Sequence, residues 1–281
     1  MSGQRKHENS PGFRMGQRLE GDTLRRFLHV PRFLPRDSVA LDPRMPAVRF
    51  GRTLYPRTVV HADASPRLLV SGQNQSKIGK RVVKGPWRGM PIYTLTLEER
   101  ATCPRSCALW AECYGNDMHL ARRHRHGRDL EVLLGAELAA LADQHPDGFA
   151  VRLHVLGDFY SVRYAARWAV WLRWLPQLHL FGFTAWPDTS PIGRMVERMN
   201  ALHPERCGMR FSRPAPTGQG WEAVTIWREV APGTTHVDEG LLCPQQHGRT
   251  ATCGTCALCW SPAAAGTPIV FLGHGRKRRS S

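Results

Sequence analysis

The sequence predicts an α/β fold, a parallel sheet arranged as a partial (β/α) barrel and followed by a cysteine-rich C-terminal segment. Three observations predict it. From residue 91 onward, short apolar runs rich in β-branched residues alternate with amphipathic helical stretches. Such alternation builds βαβ units with right-handed crossovers, so the strands run parallel and helices cover them. Most of the eight cysteines fall in two short stretches, 103–113 and 243–259.

The elements follow in chain order. Residues 1–60 are rich in Arg, Pro and Gly and lack periodicity; they predict a mostly irregular basic N-terminal region, disordered over 1–20. Residues 61–235 predict the α/β core. Within it, PRLLVSGQNQSKIGKRVVKGPWRGM (66–90) reads as short strands or a hairpin and then a loop. MPIYTLTL predicts a strand. Thr96 and Glu99 have capping-box spacing, which predicts a helical turn just before Cys103.

DLEVLLGAELAALAD (129–143) places Leu130, Leu133, Leu134, Leu138 and Leu141 on one helical face. FAVRLHVLG (149–157) predicts a strand ending at GDFYS. By strand alternation Arg152 and His154 face one way. Residues 162–175 carry Tyr164, Trp168, Trp171, Leu172 and Leu175 on one helical face. LHLFGFTAW (178–186) predicts a strand, Ser190 to Leu202 a helix, and GMRFSR and EAVTIWRE two further strands. A cysteine-rich segment follows at 236–262. The last strand, TPIVFLG, and the basic tail GRKRRSS occupy 263–281. No internal repeat is present. In such folds chemistry gathers at the C-terminal ends of the strands.

The 281 residues, 42% apolar and 22% charged, have the composition of an ordinary globular protein. No apolar run approaches the roughly 20 residues of a membrane span. MSGQRKHENSPGF lacks the apolar stretch of a signal peptide. A cytoplasmic location without a membrane partner is expected. The net charge of +16 favours polyanions, so a nucleic acid is a candidate partner through a basic surface. One basic run holds Lys77, Lys80, Arg81, Lys84 and Arg88. Another, MHLARRHRHGR, holds His119, His124 and His126 and reads as a solvated basic segment. An even spread of arginine is the plainer reading of the charge.

A reducing compartment turns clustered cysteines toward metal rather than disulfides. Cys253, Cys256 and Cys259 are too closely spaced to pair comfortably with each other. Their C-x2-C-x2-C run has ferredoxin-like spacing for a 4Fe–4S cluster, with Cys243, which precedes a proline, as the fourth ligand. A structural zinc site on the same four thiols is the alternative. The other group, Cys103, Cys107 and Cys113, supplies three thiols with Tyr114 directly after. Three thiolates would hold three irons of a 4Fe–4S cluster and leave the fourth iron open. A cluster with an open iron binds S-adenosylmethionine and, once reduced, cleaves its sulfonium. Cys207 is left over. As a fourth ligand it would close that site, and as a small buried residue it would not.

These features resemble the radical-SAM superfamily, which places its cysteine loop before the first helix of an α/β barrel. The second gap here is three residues longer than the superfamily's C-x3-C-x2-C. Gly157-Asp158 resembles the superfamily's Gly-Gly-Glu-like turn, with Asp in place of Glu. ATCP-x-x-C…CYG, R-x-H-x-x-GDFYS-x-x-Y, the strand ending FSR and LLCP…C-x2-C-x2-CW together resemble the phage gene-product-88 family over roughly residues 66–262. The resemblance implies a radical-SAM-like, iron–sulfur-associated fold and names no substrate. Its matching positions are Cys103, Cys107, Cys113, His154, Gly157, Asp158, Tyr164, Cys243, Cys253, Cys256 and Cys259. The expected roles are therefore catalytic for His154 and Asp158, cofactor-binding for Gly157, Asp158 and Tyr114, and metal-ligating for seven cysteines. One or two 4Fe–4S clusters, S-adenosylmethionine and an electron donor are the expected cofactors and partners. His154 as a hydrogen-bonded core histidine and Asp158 as a cap for the helix at 161–162 are the plainer readings.

Overall fold

The computed structural model describes residues 41–228, 230–231 and 233–273. The expectations for residues 1–40 and for the basic tail lie outside the described residues. The chain runs through a short helix α1 (Pro46–Phe50), strands β1 (Val59–Val60), β2 (Val70–Ser71), β3 (Ile92–Thr94) and β4 (Arg123–His124), then helix α2 (Arg128–Gln144). Strand β5 (Phe149–Leu153), helix α3 (Val162–Trp174), strand β6 (Leu178–Thr184), helix α4 (Pro191–Leu202) and strand β7 (Cys207–Arg213) follow in strict alternation. Strands β8 (Glu222–Ile226), β9 (His236–Val237) and β10 (Gly240–Leu242), a one-turn helix α5 (Cys253–Cys256) and strand β11 (Ile269–Leu272) complete it.

Nine strands form one sheet in the order β2-β3-β5-β6-β7-β8-β11-β10-β9. The edge strands β2 and β9 are antiparallel to their neighbours and every pair between them is parallel. The edges do not pair with each other, so the sheet is mixed and open, not a closed barrel. β1 and β4 form a separate two-stranded parallel ribbon.

Because β3, β5, β6 and β7 lie side by side in chain order, right-handed crossovers put α2, α3 and α4 on the same face. Leu130, Leu134 and Leu138 of α2, Tyr164, Trp168 and Leu172 of α3, and Ile192, Val196 and Met199 of α4 are all buried there. They meet Phe149, Val151 and Leu153 of β5 and Leu178 and Leu180 of β6. Leu133 departs from the predicted face and is 39% exposed. Ser190 caps α4 through Gly193 N (2.9 Å), with Pro191 at the first helical position. Asn200 then behaves as a strand neighbour: its side chain bonds both the N–H and the carbonyl of Met209 in β7.

Alternation sends the other residues of the strands to the opposite face. Ala150 and Phe181 pack there with Ile78, Val82, Trp87, Ile92, Ala257 and Trp260. No helix of the parallel units reaches this face. It is covered instead by the 77–90 loop and the cysteine-bearing segment 253–260.

One expectation fails locally. Thr96 and Glu99 start no helix, since Thr96 gives its carbonyl to His124 N (2.9 Å) and Glu99 is taken by Arg123. Residues 66–90 hold the short strand β2, which pairs with β3, and a tight antiparallel turn in which Arg81 bridges Pro91 and Val82 N bonds Met90 O (2.9 Å). No helix among the described residues is long and apolar enough to cross a membrane.

Candidate functional site

The first thiol group lies in the loop that leaves the C-terminal end of β3. This loop winds through tight turns, Cys107 N bonding Pro104 O (3.1 Å) and Trp110 N bonding Cys107 O (3.0 Å). Two arginines shape it. Arg100 adopts a left-handed φ of 63° and donates to Trp110 O (3.0 Å) and Asn116 Oδ1 (2.5 Å). Arg105 donates to the carbonyls of Val48 and Arg49 in α1 while lying over the Trp110 ring at 4.7 Å. The 41–60 stretch, predicted irregular, therefore supplies a helix that braces this loop.

Burial pushes the Cys103, Cys107 and Cys113 thiols up, Cys113 to about 11. Next after burial, the Asp158 carboxyl raises Cys103, and Cys113 and Cys107 raise it further. Asp158 also raises Cys107. Groups that resist becoming anions together are relieved by a cation placed among them. Tyr114 is 41% exposed, yet burial of its hydroxyl pushes that group well above its ordinary range, with Arg152 opposing.

The next loop meets this group from β5. Gly157 has φ 82°, and a Cβ there would stand 2.5 Å from Thr102 Oγ1 and 2.7 Å from Leu97 Cβ, so only glycine fits. Asp158 N donates to Thr102 Oγ1 (3.1 Å), which fastens the turn to the residue before Cys103. Asp158 is buried. Its Oδ1 accepts from Phe159 N (2.7 Å) and Thr184 Oγ1 (2.8 Å), and its Oδ2 accepts from Ala185 N (2.7 Å). Burial still raises its pKa to about 7. The carboxyl is a strut between the ends of β5 and β6. It does not cap α3, because Ser161 holds that position, its Oγ accepting from Tyr164 N (3.1 Å).

His154 lies one residue beyond β5, so strand alternation does not govern it. It turns to the helix face, where Nε2 sits 3.1 Å from the Tyr164 hydroxyl and the ring stands edge-on to Phe159 at 5.1 Å. Burial, with Arg152 adding to it, lowers its pKa to about 3. Arg152 faces the other way, over the rings of Phe183 (4.6 Å) and Phe181 (5.9 Å). The predicted common face for Arg152 and His154 is therefore corrected.

The second thiol group is brought together as its spacing predicts. Cys243, Cys253, Cys256 and Cys259 line one cleft of about 270 Å3, counting its open mouth, with Trp260 and Ile269 among its walls. Thr252 and Thr255 form a capping box that starts α5 and fixes Cys253 and Cys256 on one turn. Burial, and then the other cysteines, push the Cys253 thiol to about 11; burial also raises Cys259 and Cys243.

The seat for this segment is the 77–90 loop. Cys253 N bonds Lys77 O (2.7 Å), Gly254 N bonds Ile78 O (2.9 Å), and Val83 N bonds Gly254 O (2.9 Å). Trp87 stacks on Trp260 at 5.6 Å and 10°, and its Nε1 donates to Glu205 O (2.6 Å). At Gly208 of β7 a Cβ would approach Trp260 Cα to 2.6 Å, so the segment lies flat against the sheet backbone. Cys207 belongs to neither group. It is buried in the core under the helices, where burial lifts its thiol to about 12.

A family profile described as gene product 88 matches residues 68–262, more than half of the chain. The chain belongs to the phage gene-product-88 family. No curated protein and no solved structure matches it.

In this gene-product-88 chain, no three Cys, His, Asp or Glu side chains among the described residues are arranged to hold a single metal ion. Sequence reasoning missed several residues that build the site. Arg123 and His124, read as part of a solvated basic segment, are 0% and 3% exposed. Arg123 pairs with Glu99 (2.6 Å) and also donates to the carbonyls of Gly115, Met118 and Ala121, so it anchors the base of the first cysteine loop. Burial lowers the pKa of His124 to about 4. His119 and His126 are exposed as expected. Arg210 of β7 is fully buried, and nothing in GMRFSR marked it. The lone Trp87 within a basic run was the available signal for the seat of the second group.

Proposed function

We propose that the chain is an iron–sulfur protein with radical-SAM-like chemistry, built on a partial (β/α) barrel. The carrying observation is the placement of Cys103, Cys107 and Cys113 beyond the first parallel strand, β3, with the Gly157-Asp158 turn of the next strand against them. This end of the sheet is where α/β folds collect ligands. Cys207 is too far into the opposite core to fill a fourth position.

The donor sets fit 4Fe–4S clusters. A cubane gives each thiolate its own iron, so its ligands stand farther apart than those of one ion. The C-x2-C-x2-C run, with all four thiols lining one cleft, favours a cluster over zinc. When bound at the first group, a reduced cluster would supply the electron that cleaves S-adenosylmethionine. Cys103, Cys107 and Cys113 would hold that cluster, and Cys243, Cys253, Cys256 and Cys259 a second. Asp158 would keep the β5 and β6 ends in register beside the first group, Gly157 would let that turn approach, and Tyr114 would wall the site. His154, held neutral and bonded to Tyr164, would keep the loop after β5 on its course.

Anaerobic reconstitution tests this reading. About eight irons per chain and reductant-dependent 5′-deoxyadenosine formation from S-adenosylmethionine are expected. Stoichiometric zinc with no iron would overturn it.

A second reading is a non-catalytic nucleic-acid-binding protein stabilised by zinc or a closed cluster. Lys80, Arg81, Lys84 and Arg88 favour it, since all are exposed on the loop that seats the second thiol group. Binding to short duplex DNA should then weaken steeply with salt. Affinity indifferent to salt would count against it.

A further inference from the structure

Buried arginines ordinarily face a carboxylate. On the cysteine-covered face of this sheet, buried Arg210 and half-buried Arg152 have none among the described residues. Arg210 spends all five of its N–H donors on main-chain carbonyls: Cys259 (2.9 Å), Glu222 (3.0 Å), Thr267 (2.9 Å), Leu258 (3.3 Å) and Ala264 (2.8 Å). Four of these, all but Glu222, belong to the stretch that carries or follows the cysteines. Arg152, two strands away, lies over Phe183 and bonds only the Leu153 carbonyl. Its guanidinium also lies 5.9 Å from the Phe181 ring, which packs on Trp260 at 4.3 Å in the same cluster as Cys253 and Cys259. Carbonyls and aromatic faces solvate a guanidinium but do not neutralise it, and uncompensated buried charge is costly.

The missing negative charge is supplied by the thiols themselves once they hold metal. Four thiolates around a dicationic core, whether one zinc ion or a 4Fe–4S unit, carry a net charge of about −2. Two arginines match it. We propose that Arg152 and Arg210 are the built-in counter-cations of a metal–thiolate centre at Cys243, Cys253, Cys256 and Cys259. Arg152 is the adjustable member, because it is half-buried and its one hydrogen bond among the described residues is to the Leu153 carbonyl. Arg210 carries the charge and ties the segment to β7 together. The inference rests on the reading of this quartet as a metal centre, but not on whether the metal is iron or zinc.

Arg152 is the position to test, since removing Arg210 would strand five carbonyls. In reconstituted full-length protein carrying Cys113→Ala, only the quartet would hold a cluster. There Arg152→Gln should shift the oxidised-to-reduced ratio at a fixed potential about tenfold toward the oxidised form, 59 mV for a one-electron couple. Arg152→Lys, which keeps the charge, should restore the ratio. A packing role alone would not move it, so an Arg152→Gln cluster that titrates at the parent midpoint with full iron content overturns the proposal. If the protein holds zinc and no iron, the iron–sulfur reading fails but the charge argument is still decided. Zinc loss to a chelator should then run about tenfold faster in Arg152→Gln and at the parent rate in Arg152→Lys, and equal rates in all three overturn the proposal. Should Arg152→Gln not fold, Arg152→Met, which keeps the apolar stem against Phe183, takes its place in both measurements.

Discussion

The two faces of the sheet solve the same covering problem in opposite ways. The helix face is closed by α2, α3 and α4 through interlocking apolar side chains, with Trp168 fully buried among them. The other face is closed by segments with almost no regular structure, held by main-chain hydrogen bonds, two stacked tryptophans and the buried Arg210. On the first face the hydrophobic effect alone is sufficient. On the second, buried charge and clustered thiols would be a liability in a protein that needed only to fold. The difference is between two ways of closing a sheet: one face is packed by helices, the other by a thiol-bearing segment held through its main chain.

The comparison breaks most sharply at the thiols. Cys113→Ala should abolish one centre and leave the other, halving the iron by metal analysis, while the helix face keeps its circular dichroism. Loss of all iron would mean that the two groups serve one centre. On the helix face, Trp168→Ala should cost about 3–5 kcal/mol in urea unfolding, because the ring is enclosed and its cavity cannot collapse.

A pH scan sharpens the contrast. His154 stays neutral in the fold down to about pH 3, whereas an unfolded histidine titrates near 6.5. Between those values the unfolded chain binds a proton that the folded chain refuses, so acid favours unfolding. The contribution is fully present above pH 6.5 and falls toward pH 3, by about 2 kcal/mol at pH 5. His154→Gln should flatten that part of the stability curve; an unchanged slope would remove His154 as its source. Smallest is Ser190→Ala, which removes the cap of α4 and should lower stability by about 1 kcal/mol without touching metal content.

The helix face was legible because its signals are local. Leu130, Leu134 and Leu138 repeat at helical spacing, as do Tyr164, Trp168 and Leu172, and the strands between them are runs of apolar residues. Alternation failed one residue past β5, where His154 left the ladder that enforces it. The second thiol group was legible as a set because its cysteines are near in sequence. Its seat was not, since Trp87 and Trp260 meet across the whole core. Arg123 and Arg210 look like any of the chain's other arginines in sequence. Only the convergence of distant carbonyls, from Gly115 to Ala121 and from Glu222 to Thr267, distinguishes them. The short β9–β10 hairpin carries too few residues for any period to register.

The stacking of Trp87 on Trp260 imposes an order of assembly. The platform that receives Trp260 is made of the 77–90 loop, Phe181 of β6 and Gly208 of β7, all synthesised earlier than residues 253–260. The closing segment therefore docks onto strands already made, ahead of β11, which enters the sheet between β8 and β10. Until it does, Trp87 and Phe181 face water, and a chain stopped before residue 243 would remain sticky there for life. Docking of residues 253–260 is then the event that turns a half-covered face into a sealed one.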